Sequence, residues 1–339
     1  MTNQDNRPKS FLEAVRYFAD LNVATEFMAG LRWPEGVACP HCRTQRASYV
    51  KTRRIWNCLE CKKQFSVKTG SVMEDSPLTL DKWLAAIWLI ADCKNGISSH
   101  EIARHLNISQ KSGWFLLHRI RAAMKAGSFE KLGGEGDDVE VDETAIGGKA
   151  KNMHRDRRKA KIQGTGMMNK TIVMGLLRRT QGDQKSKVAV KVVANNRKRT
   201  VQREVRTHVA ERSNLYTDAL LSYQGLDAEY LHRTIDHAVE YAVGSVHTNG
   251  IENFWSLLDR AIDGTYVSVD PDHLEKYVDE EAFRFNERED TPYGRFVKVA
   301  QNVAGKRLTW DELVAREEGT KPRRGGGNRH LNARMPVCE

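Results

Sequence analysis

Four cysteines in two close pairs constrain the fold of this chain more than any other feature. Cys39 and Cys42 form one pair and Cys58 and Cys61 the other, with the spacing C-x2-C-x15-C-x2-C. Each pair can place two thiolates on one tetrahedral ion, and the spacing is typical of four-cysteine zinc sites. The pattern predicts a structural Zn2+ in a small ribbon of short strands over residues 36–70. A redox pair or a chance spacing is the alternative interpretation.

The segment between and after these pairs alternates apolar with basic residues. The apolar members are Tyr49, Ile55, Trp56 and Phe65, and the basic members are Lys51, Arg53, Arg54, Lys62 and Lys63. This alternation predicts a basic aromatic surface on the ribbon. Because a closed four-cysteine site is structural, we expect the ribbon to dock on a partner and not to perform chemistry.

The overall charge indicates the kind of partner. Lys and Arg number 54 against 44 Asp and Glu, which gives a net charge of +10 and a pI of about 9.3. Such a balance favours a polyanion, either nucleic acid or an anionic membrane face. No apolar run approaches the roughly 20 residues that a bilayer span requires, and no secretory signal is evident. We therefore expect a cytoplasmic protein, in which cysteines bind metal more often than they form disulfides.

Residues 78–128 carry the pattern of a helix-turn-helix, and a helical segment over residues 1–35 precedes the ribbon. Ser98 and Glu101 form a capping box that begins one helix, and Ser109 can cap the next. In a helix-turn-helix the second helix presents polar residues to DNA. Those positions here are Gln110, Lys111 and Ser112. An ordinary helical bundle has the same pattern and is the alternative.

After a Gly-rich break, the run Val139-Glu140-Val141-Asp142 predicts a short strand. The alternation places both valines on one face and both acids on the other. A surface strand with acids on its solvated face is the ordinary interpretation. We expect Glu140, and also Glu143 beyond the run, to be solvated.

The order of the following elements predicts the fold of the C-terminal half. The predicted elements are strands at 139–142, 171–177 and 187–193, a helix at 200–212, strands at 215–218 and 231–235, and a helix at 249–260. This is the order of a ribonuclease-H-like α/β core, in which the first and fourth strands lie side by side. We therefore expect a multidomain chain with this catalytic domain over residues 136–300. Residues 301–339 would form an extension that ends in a flexible tail.

In such a core, three acids would meet at one edge of the sheet. Asp142 and Asp218 would lie at adjacent strand ends, and Glu252 would reach them from the late helix. Oxygen ligands from three segments can hold two Mg2+ or Mn2+ ions about 4 Å apart. Repulsion among clustered carboxylates explains why such a site requires a dication.

A one-sided basic segment follows the first strand. Residues 149–161 hold seven Lys and Arg and a single acid. Although a charge run is usually a solvated face, this one suits a phosphate backbone. The predicted contacts are Arg155, Arg157, Arg158 and Lys159.

Together these motifs resemble those of bacterial insertion-sequence transposases of the DDE superfamily, in the group with an N-terminal zinc ribbon and helix-turn-helix. The resemblance covers about residues 10–300. Besides the cysteine pairs it rests on Val-Asp-Glu-Thr at 141–144, Tyr-Thr-Asp at 216–218, and the run at 247–256. The gap of 33 residues between the second and third acids is close to the interval in such enzymes.

The resemblance implies that Asp142, Asp218 and Glu252 are the catalytic, metal-binding acids. Some relatives have asparagine as the third member, so Asn249 competes with Glu252; a carboxylate is the better dication ligand. Relatives tend to carry Lys or Arg where this chain has Asp259, and Arg260 is the substitute we expect to contact the DNA end, along with Asn249.

The implied activity is nicking at element ends, followed by attack of the 3′-hydroxyl on target DNA. The implied partners are double-stranded DNA and further copies of the chain, as a homodimer or higher oligomer, near the bacterial nucleoid. Two alternatives are an inactive or domesticated DNA-binding regulator and a ribonuclease-H-like nuclease or junction resolvase.

Overall fold

A computed structural model describes residues 7–125, 131–147, 170–218, 221–235 and 247–314. Contacts divide the chain into a large unit, Met1–Leu308, and a small unit, Thr309–Glu339, whose described part holds one short helix, Trp310–Val314. In these ranges, no helix is long and apolar enough to cross a membrane. The predicted tail lies outside the described residues, and so do the predicted DNA contacts Arg155, Arg157, Arg158 and Lys159.

Two capped helices precede the ribbon. Helix α1 (Phe11–Phe18) begins at Ser10, whose hydroxyl accepts a hydrogen bond from the Glu13 amide, and α2 (Leu21–Arg32) is capped likewise by Asp20. Such caps satisfy amides that have no partner in the first turn. Three short antiparallel strands follow, β1 (Ala47–Val50), β2 (Ile55–Cys58) and β3 (Gln64–Phe65).

The aromatic residues of the ribbon form a small core. Trp56 and Phe65 are 7% and 2% exposed, and their rings stack at 5.9 Å. Trp33, at the end of α2, packs edge-on against both rings. The predicted aromatic surface is wrong for these two residues, because a three-stranded sheet must bury one face. Tyr49 remains exposed.

Three helices follow the ribbon: α3 (Leu80–Asp92), α4 (Ser99–Leu106) and α5 (Gln110–Met124). The Ser98–Glu101 capping box is confirmed, and the Ser109 hydroxyl accepts a hydrogen bond from the Ser112 amide. Asn107 turns the chain between α4 and α5 in the left-handed region, at φ 50°. Gly113 lets the helices approach closely, since a Cβ there would lie 2.9 Å from Ile102 Cγ2.

A five-stranded mixed sheet forms the centre of the C-terminal half. Its strands are β4 (Asp138–Ile146), β5 (Thr171–Arg178), β6 (Lys187–Val193), β7 (Asn214–Asp218) and β8 (Leu231–Ile235). They lie in the order β6-β5-β4-β7-β8. Strand β5 is antiparallel to both of its neighbours, β4 and β6, whereas β7 and β8 run parallel to β4. The predicted adjacency of the first and fourth strands is therefore confirmed.

Helices cover both faces of this sheet. Helix α6 (Lys198–His208) packs on the face that carries Val139 and Val141. Helix α7 (Asn249–Arg260), which continues as a π-helical turn (Ala261–Tyr266), packs on the other face together with α8 (Leu274–Asn286). Helix α6 ends four residues before the predicted position 212, because His208 and Ala210 pair with the backbone of Leu132.

The last long helix of the large unit returns to the N-terminal helices. Helix α9 (Pro292–Gln301) buries Phe296 against Phe18, Phe27 and Trp88, with ring centroids 5.1–5.7 Å apart. Residues more than 200 positions apart in sequence thus share one apolar core.

A buried charge cluster joins α5 to α8. The Arg121 guanidinium lies 2.6 Å from a Glu280 carboxylate oxygen, and both side chains are at most 1% exposed. Arg284 and the Tyr266 hydroxyl also donate to Glu280. Burial by itself would raise the pKa of Glu280, but the charges of Arg284 and Arg121 lower it. The carboxyl is therefore held ionised where it ties the helices together.

We expect Glu280→Gln to lower the free energy of unfolding by about 3–5 kcal/mol, because it leaves buried arginines without their counter-charge. Because the folded pKa is depressed, this contribution is present above the ordinary pKa of 4.5 and is lost as the pH falls below it. Denaturant titration at several pH values measures both effects. Glu275→Gln is the matched control on the same helix; its exposed pairs with Lys125 and Lys191 contribute about 0–1 kcal/mol. Equal losses in both variants would contradict the prediction.

Candidate functional site

The four cysteine sulfurs converge on one point. All four Sγ atoms lie within 4.8 Å of one another, with Cys39 3.8 Å from Cys61 and Cys42 3.5 Å from Cys58. A tetrahedral ion with zinc–sulfur bonds of about 2.3 Å requires sulfur–sulfur separations of about 3.8 Å. The donor set and its spacing therefore fit Zn2+.

Each cysteine pair lies in a tight turn of the same form. The residue after the second cysteine, Arg43 in one turn and Lys62 in the other, has a positive φ of 65° or 60°. In the second turn the Cys61 amide donates to Cys58 Sγ at 3.4 Å. The two matching turns direct the four sulfur atoms to one position. The backbone conformation of the turns therefore accounts for the clustering of the sulfurs.

We expect the purified protein to contain one zinc ion per chain, and Cys58→Ser to lose it and unfold the ribbon. Elemental analysis and the fluorescence of Trp56, which is buried in the ribbon, measure the two effects. Cys93→Ser is the matched control, because Cys93 caps the end of α3 and is not part of this cluster. Retention of zinc by Cys58→Ser would refute the site.

Asp142 and Asp218 lie on adjacent parallel strands. Glu140 of β4 pairs with Tyr216 of β7, and continuing this register places Asp142 level with Asp218. Residues level on adjacent strands point to the same face of a sheet. The two carboxylates therefore share the face covered by α7.

Helix α7 brings Glu252 toward these two acids. The Trp255 indole N–H donates to Asp142 Oδ2 at 2.9 Å, which fixes the helix over the strand. Burial raises the pKa of Asp142, and the charges of Asp218 and Glu252 raise it further, although the hydrogen bonds from Trp255 and from the Glu143 amide oppose this. Glu252 itself is exposed at the mouth of the site, where its carboxylate accepts a hydrogen bond from the Thr248 hydroxyl at 3.0 Å.

The three acids are more widely spaced than the ligands of a single ion. Among the described residues, the cysteine cluster is the one group of three or more potential ligands with all donor atoms within 4.8 Å. Carboxylates that surround a pair of ions need not meet that limit. Their oxygen chemistry and mutual repulsion suit hard divalent cations.

Glu140 is buried, and the expectation that it is solvated is wrong. Its side chain is 1% exposed, and its oxygens accept hydrogen bonds from Arg179 Nε at 2.6 Å and from the Ile251 amide at 2.8 Å. Arg179 also donates to the carbonyl of His247, just before α7. Glu140 is buried because helix α7 covers this face of β4, and α7 comes from a distant part of the sequence. Glu140 and Arg179 hold the first turn of the helix that carries Glu252.

Glu143 is also buried and not solvated as expected. It points to the opposite face, toward the buried Tyr223. Burial and the charges of Asp142 and Asp218 raise the pKa of Glu143 to about 7, although Tyr223 acts to lower it.

Two glycines allow α7 to lie this close to the sheet. A Cβ on Gly175 of β5, which is paired with Asp142, would lie 2.7 Å from both Ile251 and Trp255. A Cβ on Gly250 would lie 2.9 Å from a Glu140 oxygen. A glycine inside an apolar strand, as at 175, is a sequence signal of close approach that could have located this contact.

The predicted DNA-contacting residues lie on exposed surfaces. Gln110, Lys111 and Ser112 are exposed in the first turn of α5, and Asn249 and Arg260 are exposed at the two ends of α7. The Gln110 amide donates to the Ser99 hydroxyl at 2.9 Å, and Arg260 donates to the carbonyl of Ser256. The α5 group lies on a different helix from Glu252, whereas Asn249 lies three residues before Glu252 on the same helix.

Comparison with known proteins identifies both parts of the chain. Residues 131–286 match the ISXO2-like transposase domain, and residues 22–64 match the transposase zinc-ribbon domain. The chain belongs to this transposase family. A Haemophilus influenzae relative, described as a transposase-like protein, is 35% identical over 106 residues, which cover 31% of this chain and 85% of that protein. A Halobacterium salinarum protein of the transposable element ISH50 is 25% identical over 276 residues, or 78% of this chain and 90% of the relative.

The two matches cover the cysteine cluster and the three candidate acids. The zinc-ribbon match includes all four cysteines, and the domain match includes the three acids and both glycines that bring α7 onto the sheet. The helices α4 and α5 lie between the two matched regions.

We expect Gly250→Ala to destabilise the transposase by about 1–3 kcal/mol, because the new methyl group meets a carboxylate that cannot move away from Arg179 and Ile251. Gly30→Ala is the matched control: Gly30 lies within α2 with nothing within 4 Å of an added Cβ, so alanine should stabilise by about 0.5–1 kcal/mol. Denaturant midpoints measure both, and a Gly250→Ala protein as stable as Gly30→Ala would contradict the packing argument.

Proposed function

We propose that this transposase cleaves DNA at the ends of its element and joins the freed 3′-hydroxyl to target DNA, using Asp142, Asp218 and Glu252 as its catalytic acids. The observation that carries the proposal is the level placement of Asp142 and Asp218 on adjacent parallel strands beneath the helix of Glu252. We further propose that the domain is ribonuclease-H-like. The strand order, with three antiparallel strands followed by two parallel to the first, supports this.

The acids would hold two Mg2+ or Mn2+ ions, which when bound supply charge that activates the attacking oxygen and stabilises the leaving oxygen. The residues of the chain provide the position. Trp255 fixes the rotation of the Asp142 carboxylate through Oδ2, and Thr248 orients Glu252 in the first turn of α7. Glu140 and Arg179 fix that turn against β4.

We propose that the N-terminal elements recognise the element ends. The exposed first turn of α5 suits the second helix of a helix-turn-helix, and the ribbon keeps Lys51, Arg53, Lys62 and Lys63 exposed for phosphate contacts. Its four cysteines would bind structural Zn2+. Two element ends must be held together for joining, so a homodimer or higher oligomer on DNA, in the bacterial cytoplasm, is the arrangement we propose.

We expect Asp142→Asn, Asp218→Asn and Glu252→Gln each to reduce Mg2+-dependent nicking of an element-end duplex by about 100-fold or more, comparable to the loss of a group that stabilises the transition state. Binding to the same duplex without added cation should be unchanged. Glu135→Gln, which neutralises an exposed acid just before β4, is the matched control. Nicking by Asp142→Asn at the wild-type rate would overturn the assignment.

The same assay decides the alternatives. Loss of nicking in Asn249→Ala but not in Glu252→Gln would make asparagine the third member. A wild-type protein that binds ends but never nicks with Mg2+ or Mn2+ would be a regulator. Nicking that is unaffected by Lys111→Ala and independent of end sequence would indicate a general nuclease.

A further inference from the structure

We propose that the exposed basic face of helix α6 binds the phosphate backbone of the duplex DNA that passes the acid site. This inference rests on the proposed function and adds a second DNA-contacting surface, on the side of the sheet opposite α7. No predicted DNA contact lies on α6.

The charge of this face is one-sided. The exposed basic residues at or within the helix are Arg197, Lys198, Arg199, Arg203 and Arg206. The single acid of the helix, Glu204, is buried, and Arg203 and His208 lie beside its carboxylate. Arg206 is already paired with Glu229. Arg197, Lys198 and Arg199 have no ion-pair partner within the described part of the chain.

These three residues lie at the catalytic edge of the sheet. Val193, the last residue of β6, pairs with Ile172 of β5, which in turn pairs with Ala145 of β4. The chain therefore leaves β6 level with a position three residues beyond Asp142. Helix α6 starts from that edge, because only residues 194–197 separate it from β6.

Hydrogen bonds tie the start of α6 to the segment that follows Asp218. The Ser222 hydroxyl donates to the Asn196 carbonyl at 2.9 Å, and the Gln202 amide donates to the carbonyls of Ser222 and Gln224. The segment that follows β7, the strand of Asp218, thus supports this helix. Under the proposal, DNA that passes the acids continues past this edge of the sheet to Lys198 and Arg199.

The dimensions suit a phosphate backbone. From Lys198 to Arg206 the helix rises about 12 Å, at about 1.5 Å per residue. Along one strand of B-DNA that length spans three to four phosphates, at about 3.4 Å each. Lys198, Arg199, Gln202, Arg203, Arg206 and Thr207 line one shallow open depression, as a convex backbone requires.

An anionic membrane is the competing partner for such a face, and it fits less well. Helices that bind membranes insert an apolar face beside their basic one. The apolar residues of α6, Val201 and Val205, are fully buried in the sheet core. Only charge and polar groups remain for a partner, which favours DNA.

The test compares Lys198→Gln/Arg199→Gln with Lys185→Gln/Lys187→Gln in the full-length protein. The control pair removes the same charge from exposed lysines at the opposite edge of the sheet, where β6 begins. Binding to a random-sequence duplex is measured over a range of KCl concentrations without added divalent cation. Two lost phosphate contacts should reduce the magnitude of the negative slope of log K against log salt by about 1.8. In parallel, duplex DNA should slow acylation of Lys198 but not of Lys185 or Lys187.

Further arms identify the DNA and separate the two proposals. Reduced nicking of an element end assigns the surface to element DNA, and reduced joining of a pre-nicked end alone assigns it to target DNA; either result supports the inference. The inference is overturned if the salt slope of Lys198→Gln/Arg199→Gln equals that of the control variant and DNA does not protect Lys198 from acylation. It is also overturned if the variant loses binding only to phosphatidylglycerol vesicles and not to DNA. The binding assay contains no divalent cation and so does not depend on the three acids. Its result can therefore be interpreted even if the catalytic assignment is wrong.

Discussion

The candidate catalytic geometry depends on one buried carboxylate, Glu140. An ionised group without water is strongly unfavourable unless charge and hydrogen bonds compensate it. Arg179 supplies the compensating charge and the amide of Ile251 a hydrogen bond. These two contacts with Glu140 fix the position of α7 against β4. Gly250 and Gly175 remove the side chains that would prevent this approach. Because Glu252 lies one residue beyond Ile251, its distance from Asp142 is set by the same contact.

A second buried charge connects the region that would recognise DNA with the region that would cut it. Arg121 is on α5, about two and a half turns beyond the exposed Gln110 to Ser112 group, and Glu280 is on α8, which packs against β6. Tyr266, at the end of the π-helical continuation of α7, donates to the same carboxylate. Together with the shared core of α9 and the N-terminal helices, this contact makes the two regions parts of one unit.

Local sequence patterns were sufficient for most individual elements. The alternation and capping signals locate β5, β6, β8 and α7, and the starts of α4 and α5, to within about a residue, because hydrophobic period and helix caps act over a few neighbouring positions. For helix α6 the prediction of 200–212 ends four residues too late and begins two residues too late. Its end is set by backbone pairing of His208 and Ala210 with Leu132, about 75 positions earlier in the chain. Trp56 and Phe65 were misplaced because their burial depends on Trp33 in another element.

By itself, the sequence determined the four-cysteine cluster, the order of strands and helices, and the three acids that we propose as catalytic. Thiolate spacing and strand alternation are local, and they act before any distant segment is in place. Only the tertiary structure decided which carboxylates are solvated. Glu140 and Asp142 have the same alternation and the same charge, yet one is tied to Arg179 and the other faces Asp218 and Glu252. Burial is a property of whichever segment covers a strand, and here that segment lies more than 100 residues further along the chain.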